Sequence, residues 1–492
     1  MAGFDLENIQ GDIWPGLPKR QEIFLFFRIA DDASQRQKFK EYLRKLIPDI
    51  TSTKAVLDAR AHIGEEKKKA AAAEEASKLL PWSGVNIAFS STGLAALGKH
   101  IMNTKSNMEE IRGDPAKWRE LKKNQIRGDL FDKGMFDDLV YEGWDDPQEL
   151  RREYKKDPET KQRQIDGVVF VAASTQKQLE KAVGLVKEKL HMRDIDDDID
   201  EDAACKLVLT RKGKARPDQL KGKEHFGFED GISQPQLEGL DPPPKGEKEP
   251  KAVPPGLILI GHDGDALRQP EWTKDGSFMV FRDLQQLVPE FDQFLEDNAP
   301  ASQSAEKSPA SANKLGALIM GRWRNGTPVD LNPNDDNDPS LFRSNNFNYT
   351  PVGSHDRCPF AAHIRKMRPR ADLDDDEAVI IRRGIAYGPE VSEEEKRNKK
   401  TSKERGWASN HHFPGNKYDA VGLSGPGIDG IAGQRLAHHP PRNMGLPDGK
   451  KPSEARLNLG TWVIHKGGEY FFAPSLKALR EDLSSAPVRA KL

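Results

Sequence analysis

The sequence predicts an α+β protein built from two halves. Its 492 residues exceed the size of one ordinary domain, so two or three domains are expected. Apolar runs typical of buried strands recur along the chain, and amphipathic helical patterns follow them. A proline- and lysine-rich connector at 241–255 separates two such series. The prediction is therefore a first half at 1–240 and a second half at 256–492.

The first half contains three strand–helix units. Glu22–Ala30 is an apolar run, and the helical pattern after it has Asp31 or Asp32 as its N-cap. The stretch SGVNIAFSSTGLAALGKHI repeats the arrangement with Ser90 or Ser91 as the cap. GVVFVAASTQKQLEKAVGLVKEKL repeats it once more. Strands and helices thus alternate, but without the regular rhythm of a long parallel sheet.

The second half begins with GLILIG, a predicted strand, and with SFMVFRDLQQLVPEFDQFL, a strand that passes into a helix. AVIIRRGIAYG and EYFFAPS predict two more strands. Two acidic stretches, at 193–202 and 332–340, are candidates for binding Ca²⁺ or Mn²⁺. Neither has the glycine and terminal glutamate of an EF-hand loop, so solvated loops are the preferred interpretation.

The composition argues against several classes of protein. The net charge of −2, from 76 basic and 78 acidic residues, gives no indication of nucleic-acid binding. The two cysteines, Cys205 and Cys358, form no C-x-x-C pattern, which disfavours a disulfide framework, a cysteine zinc site and covalent haem attachment. The N-terminus lacks the pattern of a secretory signal, and no apolar run approaches the length of a membrane span. We expect a cytoplasmic protein, with the mature form of a secreted protein as the alternative.

The first candidate site is a Gly-x-x-Asp-Gly motif at Gly227–Gly231. Two glycines flank a short segment that carries one carboxylate, Asp230, on a predicted tight turn. On its own the motif is a weak signal. A turn in which Asp230 bonds only its own backbone is the simpler interpretation of the motif in isolation.

The second candidate is the basic segment 355–370, which contains His363. Pro359 suits the first turn of a helix, and small alanines beside His363 leave room for a bulky group. Neutral histidine is a common metal ligand, and arginines suit carboxylates or phosphates. Both requirements meet in haem, which has an iron and two propionates. The alternative is a basic surface helix whose histidine has no special role. The basic side chains that follow His363 are Arg365, Lys366, Arg368 and Arg370.

The third candidate is the strand 378–388, in which Arg382 and Arg383 interrupt an apolar run. Adjacent residues of a strand point to opposite faces of a sheet. One arginine is therefore expected to face solvent. The other would face inward and would need an anion or a reacting oxygen to offset its burial.

Taken together, these motifs resemble the dye-decolourising peroxidase family, of the fungal type. The resemblance covers nearly the whole chain and rests on six segments. They are LENIQGDIWPGLPKR with EIFLFF, VNIAFSSTGLAALG, EHFGFEDGISQPQ, CPFAAHIRK, RRGIAYG and GGEYFFAPS. The resemblance implies two ferredoxin-like halves of the dimeric α/β-barrel type, with antiparallel sheets flanked by helices.

The resemblance also implies a haem peroxidase with haem b in the second half. His363 would be the proximal iron ligand, Asp230 the distal acid–base group and Arg382 the distal charge stabiliser, with Arg383 as the fallback. Arg365 would help to bind the cofactor. Hydrogen peroxide would be reduced and bulky phenolic or dye-like reductants oxidised. An aspartate beside an arginine suits proton transfer in acid, so activity is expected to peak at acidic pH.

Two aromatic side chains are candidates for electron transfer. Trp407 matches a surface tryptophan that family members use for long-range electron transfer, and Tyr387 would be a second relay. Packing roles are the alternatives for both residues. Asp429 is one of several candidates for the carboxylate that bonds the proximal imidazole.

The sequence departs from the family just before Trp407. The family normally has an apolar strand resembling LLFVCYQ there, whereas Gly406 runs directly into Trp407 in this chain. We therefore expect an incomplete sheet and an open haem pocket. Two rival functions follow: a haem-binding protein with little turnover, and a non-haem binding module in which His363 and Asp230 are structural.

Overall fold

A computed structural model describes most of the chain. The described residues are 3–73, 79–101, 129–142, 146–194, 203–265, 269–299, 309–349, 354–372, 379–413, 429–433, 442–445 and 456–485. The strands are β1 Gln21–Ile29, β2 Ser83–Phe89, β3 Gly167–Ala173, β4 Met192–Asp194, β5 Cys205–Lys214, β6 Ser277–Gln286, β7 Ile381–Tyr387, β8 Gly406–Phe413, β9 Arg442–Gly445, β10 Arg456–Leu459 and β11 Val463–Ala473. The helices are α1 Ala33–Leu46, α2 Thr53–Ala72, α3 Ser91–Ala96, α4 Asp129–Lys133, α5 Met135–Glu142, α6 Gln176–Lys189, α7 Val288–Asn298, α8 Pro309–Met320, α9 His363–Met367, α10 Glu393–Asn398 and α11 Leu476–Ala478.

Nine of the described strands form one sheet, in the order β4-β5-β1-β3-β2-β11-β6-β8-β7. The first half contributes the antiparallel series β5-β1-β3-β2. The second half contributes the antiparallel series β11-β6-β8-β7. In each series the four strands follow the order fourth, first, third, second, which is the ferredoxin-like arrangement. The predicted α+β class with two ferredoxin-like halves is confirmed.

The two halves meet at both edges of their sheets. Strands β2 and β11 pair at Phe89 and Phe472. At the other edges, β5 approaches β7 so closely that a Cβ on Gly213 would lie 2.2 Å from the side chain of Ile385. The sheet therefore curls into a barrel. The connection between β5 and β6 contains the predicted 241–255 linker, and the domain limits themselves stay a prediction.

Local sequence explains where the flanking helices begin. The Asp32 carboxylate accepts hydrogen bonds from the backbone N–H groups of Ser34 and Gln35, which makes it the N-cap of α1. The Ser90 hydroxyl accepts a hydrogen bond from the N–H of Gly93 and caps α3. In both cases the structure selects one of the two predicted caps.

Among the described residues, three of the four buried apolar clusters pack against the sheet. One fills the barrel and includes Phe24, Phe26, Phe170, Phe281 and Ile385. A second lies between the sheet and α1, α3 and α6. A third packs α7 and α8 against the second half, next to residues of β6 and β11. The third cluster borders the cleft described below.

The strand expected to be missing from the second half is present as β8. The segment GWASNHHF pairs with β6 on one side and with β7 on the other. The expectation of an incomplete sheet was therefore wrong. Asn410 and His412 make this strand look polar, but both point into the barrel and donate hydrogen bonds to Asp12, at 2.5 and 3.1 Å. Burial raises the pKa of Asp12, but the hydrogen bond and charge of His412 bring it below its usual value.

Candidate active site

A cleft opens between the sheet of the second half and the segments that carry α8 and α9. Its lining includes Asp230, His363 and Arg382, the three residues at the centre of the sequence prediction. These residues come from three separate parts of the chain. The structure brings the three candidate motifs together in one place.

His363 is the first residue of α9 and is fixed by Asp429. Its Nδ1 atom donates a hydrogen bond to the Asp429 carboxylate. Asp429 is held in turn by the backbone N–H of Ile431, at 2.8 Å. Burial lowers the pKa of His363, but the charge and hydrogen bond of Asp429 outweigh it, so the net shift is upward. Because Nδ1 is occupied, the lone pair of Nε2 is the one available for a metal.

Strand geometry separates Arg382 from Arg383. Arg383 points into the barrel, where a Cβ on Gly16 would touch its Nε atom at 2.3 Å. Arg382 points to the opposite face and lines the cleft, and its guanidinium donates a hydrogen bond to the Ser233 carbonyl oxygen. Burial lowers the pKa of Arg382, and the charge of Asp230 acts in the opposite direction. Of these two arginines, Arg382 is therefore the one available to a ligand in the cleft.

The turn that carries Asp230 is attached to the sheet beside Arg382. Gln234 accepts a hydrogen bond from the backbone N–H of Arg382 and donates one to its carbonyl oxygen, both at 2.9 Å. Gly227 and Gly231 have φ angles of 95° and 76°, which only glycine adopts readily. The two glycines thus permit the turn, and Gln234 fixes its distance from β7.

Arg365 does not line the cleft, contrary to the cofactor-binding role that the resemblance implied. Its guanidinium donates to Asp372 at 2.5 and 2.8 Å and to the Cys358 carbonyl oxygen. The rings of Tyr349 and Phe360 lie on it, with centroids 4.6 and 4.4 Å away. Its hydrogen bonds are thus used within its own segment. Among the described residues, the arginines that line the cleft are Arg322, Arg368, Arg370 and Arg382.

The comparisons with known proteins agree with this geometry. A family model described as "DyP dimeric alpha+beta barrel domain" matches residues 8–115. Dye-decolorizing peroxidase msp1 of Mycetinis scorodonius is 33% identical, over 98% of this chain and 88% of that protein. The structure of an ancestral D-type dye decolorizing peroxidase is 36% identical, covers 98% of this chain and 100% of that chain, and has a TM-score of 0.77. This chain belongs to the dye-decolourising peroxidase family.

A further solved relative is a dye-decolorizing peroxidase in complex with 2,6-dimethoxyphenol. It is 31% identical, covers 98% of this chain and 100% of that chain, and has a TM-score of 0.75. As a dye-decolourising peroxidase, the present chain is an enzyme of the haem-dependent peroxidase class. The predictions of family and of enzyme class are confirmed.

The cleft of this dye-decolourising peroxidase fits a haem group. His363 presents an imidazole whose second nitrogen is already bonded to a carboxylate, as is usual for metal-ligating histidines. Arg322, Arg368 and Arg370 line the cleft and would supply positive charge for propionates, although Arg322 and Arg370 also donate hydrogen bonds to protein oxygens. Apolar side chains such as Leu284 and Ile431 line the space between the polar groups. The donor set is therefore that of a haem site with one protein ligand.

Trp407 occupies a different position from the predicted one. It is half-buried on β8 and lines the cleft of the peroxidase, so the expected surface position was wrong. A Cβ on Gly384 would lie 1.9 Å from its Nε1 atom, so the indole lies directly over that glycine of β7. Trp407 has this position because it is the second residue of β8, the strand that was expected to be absent.

Tyr387 lies on the barrel side of β7. It is 5% exposed, and the Arg211 guanidinium lies over its ring, 4.9 Å from the centroid. Burial raises its pKa, and the charges of Asp283 and Glu404 raise it further. Tyr387 is not among the residues that line the cleft, and its role as a relay stays a prediction.

The remaining sequence predictions concern two acidic stretches and membrane-spanning segments. Most of the acidic stretch 193–202 lies outside the described residues. In 332–340, Asn332, Asp335 and Asp338 form local hydrogen bonds, and the described part of the chain contains no group of three potential metal-binding carboxylates, histidines or cysteines. Within the described ranges, every helix is too short or too polar to span a membrane.

Three residues of this region carried no sequence prediction: Ser409, His411, and Gln234, whose two hydrogen bonds attach the Asp230 turn to β7. The alternation of side chains along β8 was the sequence signal that could have found Ser409 and His411. Ala408, Asn410 and His412 enter the barrel, which leaves Trp407, Ser409 and His411 for the opposite face.

Proposed function

We propose that this peroxidase binds haem b in the cleft through His363, reduces hydrogen peroxide and oxidises bulky phenolic or dye-like reductants. The observation that carries the proposal is the convergence of Asp230, Arg382 and His363 on one cleft, with Asp429 bonded to the imidazole. The relative described with 2,6-dimethoxyphenol supports the class of reductant.

Each polar side chain has a distinct task in this proposal. Haem, when bound, supplies the redox-active iron at which peroxide is reduced. Asp230 accepts a proton from one peroxide oxygen and delivers it to the other, which leaves as water. Arg382 stabilises the negative charge that develops as the oxygen–oxygen bond breaks. Asp429 keeps the proton on Nδ1 of His363 and so leaves Nε2 as the metal ligand.

Reductants too large to reach the iron require a route for electrons. Trp407 is proposed as the first oxidisable side chain, because its indole lines the cleft. Tyr387 is proposed as the second, because it lies close by on the opposite face of the sheet: a Cβ on Gly406 would be 2.7 Å from its hydroxyl.

The rival function of a haem-binding protein with little turnover rested on the expected gap in the sheet. β8 fills that gap, and it contributes Trp407 to the cleft. No observation now favours this rival over the peroxidase. A non-haem binding module would leave the His363–Asp429 pair and the surrounding arginines without a purpose.

The proposal is tested by replacing the iron ligand and restoring it. Purified wild-type protein supplied with haem is expected to show a Soret band that shifts on adding hydrogen peroxide. His363→Gly is expected to lose the response to peroxide and to regain it when imidazole is added, because imidazole can occupy the space of the missing ligand. The absence of a Soret band in the wild type, or a band that peroxide leaves unchanged, would contradict the proposal.

A further inference from the structure

The cleft side of the sheet carries a basic patch beside Arg382. On this face Arg282 of β6 is paired with Ser409 of β8, and His411 of β8 is paired with Arg382 of β7. Cross-strand partners in an antiparallel sheet project from the same face and touch. The four side chains are therefore contiguous, and we call them the Arg282–Arg382 patch.

The guanidinium of Arg282 has no counter-charge in the part of the chain that the structure describes. The residue is half-buried, and its guanidinium makes neither a hydrogen bond nor an ion pair with any described residue. Holding a cation out of bulk water without a partner costs free energy. An anion bound beside Arg282 would remove this cost.

His411 has its hydrogen-bonding pattern fixed by Ser409. The Ser409 hydroxyl donates to the Arg383 carbonyl oxygen at 3.0 Å, so its oxygen accepts from Nε2 of His411 at 2.5 Å. Nε2 therefore carries a proton, and Nδ1 is the nitrogen at which the neutral ring can still accept one. A proton added at Nδ1 would turn His411 into a donor toward an anion in the patch.

Among the described residues, the charges that act on His411 all have the same sign. Burial, together with the nearby charges of Arg382, Arg282 and His412, lowers the pKa of His411 to about 3, and no described carboxylate acts against them. His412 points into the barrel toward Asp12. Asp230 acts on Arg382, on the cleft side of the patch. Burial and the neighbouring cations thus both keep the ring neutral, and an anion bound in the patch would offset the part due to the cations.

We propose that the Arg282–Arg382 patch binds a small oxyanion from solution, such as a carboxylate, between its two guanidinium groups, and that His411 takes up a proton as the anion binds. This site includes Arg382 but neither Asp230 nor His363. Anion binding at this site goes beyond the peroxidase function, and it can be measured without turnover. Bound there, an anion would weaken the field of Arg382 and couple activity to the anions present.

The test is calorimetric titration of haem-loaded protein with nitrate as the probe. Arg282→Gln is expected to weaken nitrate binding about tenfold, the size of one lost charge-assisted hydrogen bond. Arg282→Lys keeps the charge and is expected to restore most of the affinity. Arg36→Gln, on α1 and outside the cleft, is the matched control and should bind nitrate as the wild type does. The Soret band must stay unchanged throughout, since nitrate is expected to bind away from the iron.

The pH dependence tests the part played by His411. Wild-type affinity for nitrate is expected to rise as the pH falls, by up to about tenfold per pH unit, because one proton is taken up with the anion. His411→Asn is expected to bind nitrate with little dependence on pH. Equal affinity of Arg282→Gln and wild type would overturn the proposal. So would a shift of the Soret band by nitrate, which would indicate binding at the iron.

A haem propionate is the other carboxylate that the Arg282–Arg382 patch could bind. If Arg282 held a propionate, the wild type would not bind nitrate, and Arg282→Gln would release haem to apomyoglobin faster than wild type does. That result would overturn the proposal in favour of a cofactor contact. A preparation that binds no haem at all would refute the peroxidase function, yet its nitrate titration would still test the patch.

Discussion

At the scale of single residues, the site depends on which atom each side chain has left available. Asp429 occupies Nδ1 of His363 and leaves Nε2 for a metal. The alternation of β7 sends Arg382 to the cleft and Arg383 to the barrel. The sequence predicted that the two arginines face opposite ways. It could not say which faces the cleft, because that depends on how β7 pairs with β8.

Asp429 is expected to control the basicity of the proximal imidazole. In Asp429→Asn the side chain keeps its shape, but the charge that strengthens the bond from Nδ1 is lost. The ligand then donates less electron density, so the midpoint potential of the haem iron is expected to rise, and affinity or activity to fall about 10–100-fold. Spectroelectrochemical titration measures the potential. Exposed Asp356→Asn is the control, and a potential equal to wild type in Asp429→Asn would contradict this role.

At the scale of elements, β8 forms part of the wall of the cleft through Trp407. Its polar residues gave a misleading signal because their partner lies far away in the sequence: Asp12 is 398 residues from Asn410 and 400 from His412. No local pattern reveals such a pairing. Distance along the chain also left Asp429, which lies 66 residues after His363, as only one of several candidates for the carboxylate that bonds the imidazole.

Trp407 is the residue of β8 whose function is most directly testable. Trp407→Phe keeps an aromatic wall in the cleft but removes the readily oxidised indole. Turnover of a bulky dye is expected to fall, while oxidation of a small phenol that enters the cleft is retained. Steady-state kinetics with both reductants measure the difference. Trp82→Phe, in the first half, is the control; equal losses for both substrates in Trp407→Phe would indicate a packing role instead.

The loop that leads into β8 is held by a buried ion pair. Glu395 of α10 accepts hydrogen bonds from Arg405 at 2.6 Å and from the N–H groups of Ser402 and Lys403. The side chains of Glu395 and Arg405 are both fully buried. Removing one partner of such a pair leaves an uncompensated charge, so Glu395→Gln is expected to lower the free energy of unfolding by about 3–5 kcal/mol.

The pH dependence of this loss has a defined sign. Burial raises the pKa of Glu395, but the bonds from Arg405 and the backbone outweigh it and hold the pKa well below the usual 4.5. The stabilisation is therefore complete above about pH 5 and declines as the pH falls below 4.5. Urea unfolding of wild type and Glu395→Gln should converge in acid. Neighbouring, exposed Glu394→Gln should unfold as wild type does; a gap between wild type and Glu395→Gln that stays constant down to pH 3 would contradict the assignment.

At the scale of the whole molecule, two ferredoxin-like halves form one curled sheet, and the second half carries His363, the proposed ligand of the cofactor. Strand and helix periodicity predicted β1, β2, β3, β6, β7 and β11 and the helices that follow the first four of them, since it reflects local burial. It missed β5 and β8, and the strand predicted for GLILIG was wrong, because that segment forms a 3-10 helix at Pro255–Leu257 followed by turns. Asp230 lies beyond the last strand of the first half, and Gln234 joins its turn to β7 of the second. Such a contact between halves depends on tertiary structure, so only the resemblance to a family placed Asp230 beside Arg382 in advance.

The central claim is that Asp230 moves the proton of bound peroxide in a haem cleft completed by Arg382 and His363. The most direct test is the stopped-flow rate at which peroxide changes the Soret band of the haem-loaded protein. Asp230→Asn is expected to slow this rate by about 10²–10⁴-fold while the resting spectrum stays the same. Asp218→Asn, an exposed position in the same stretch, is expected to react at the wild-type rate. An Asp230→Asn rate equal to that of wild type would contradict the claim.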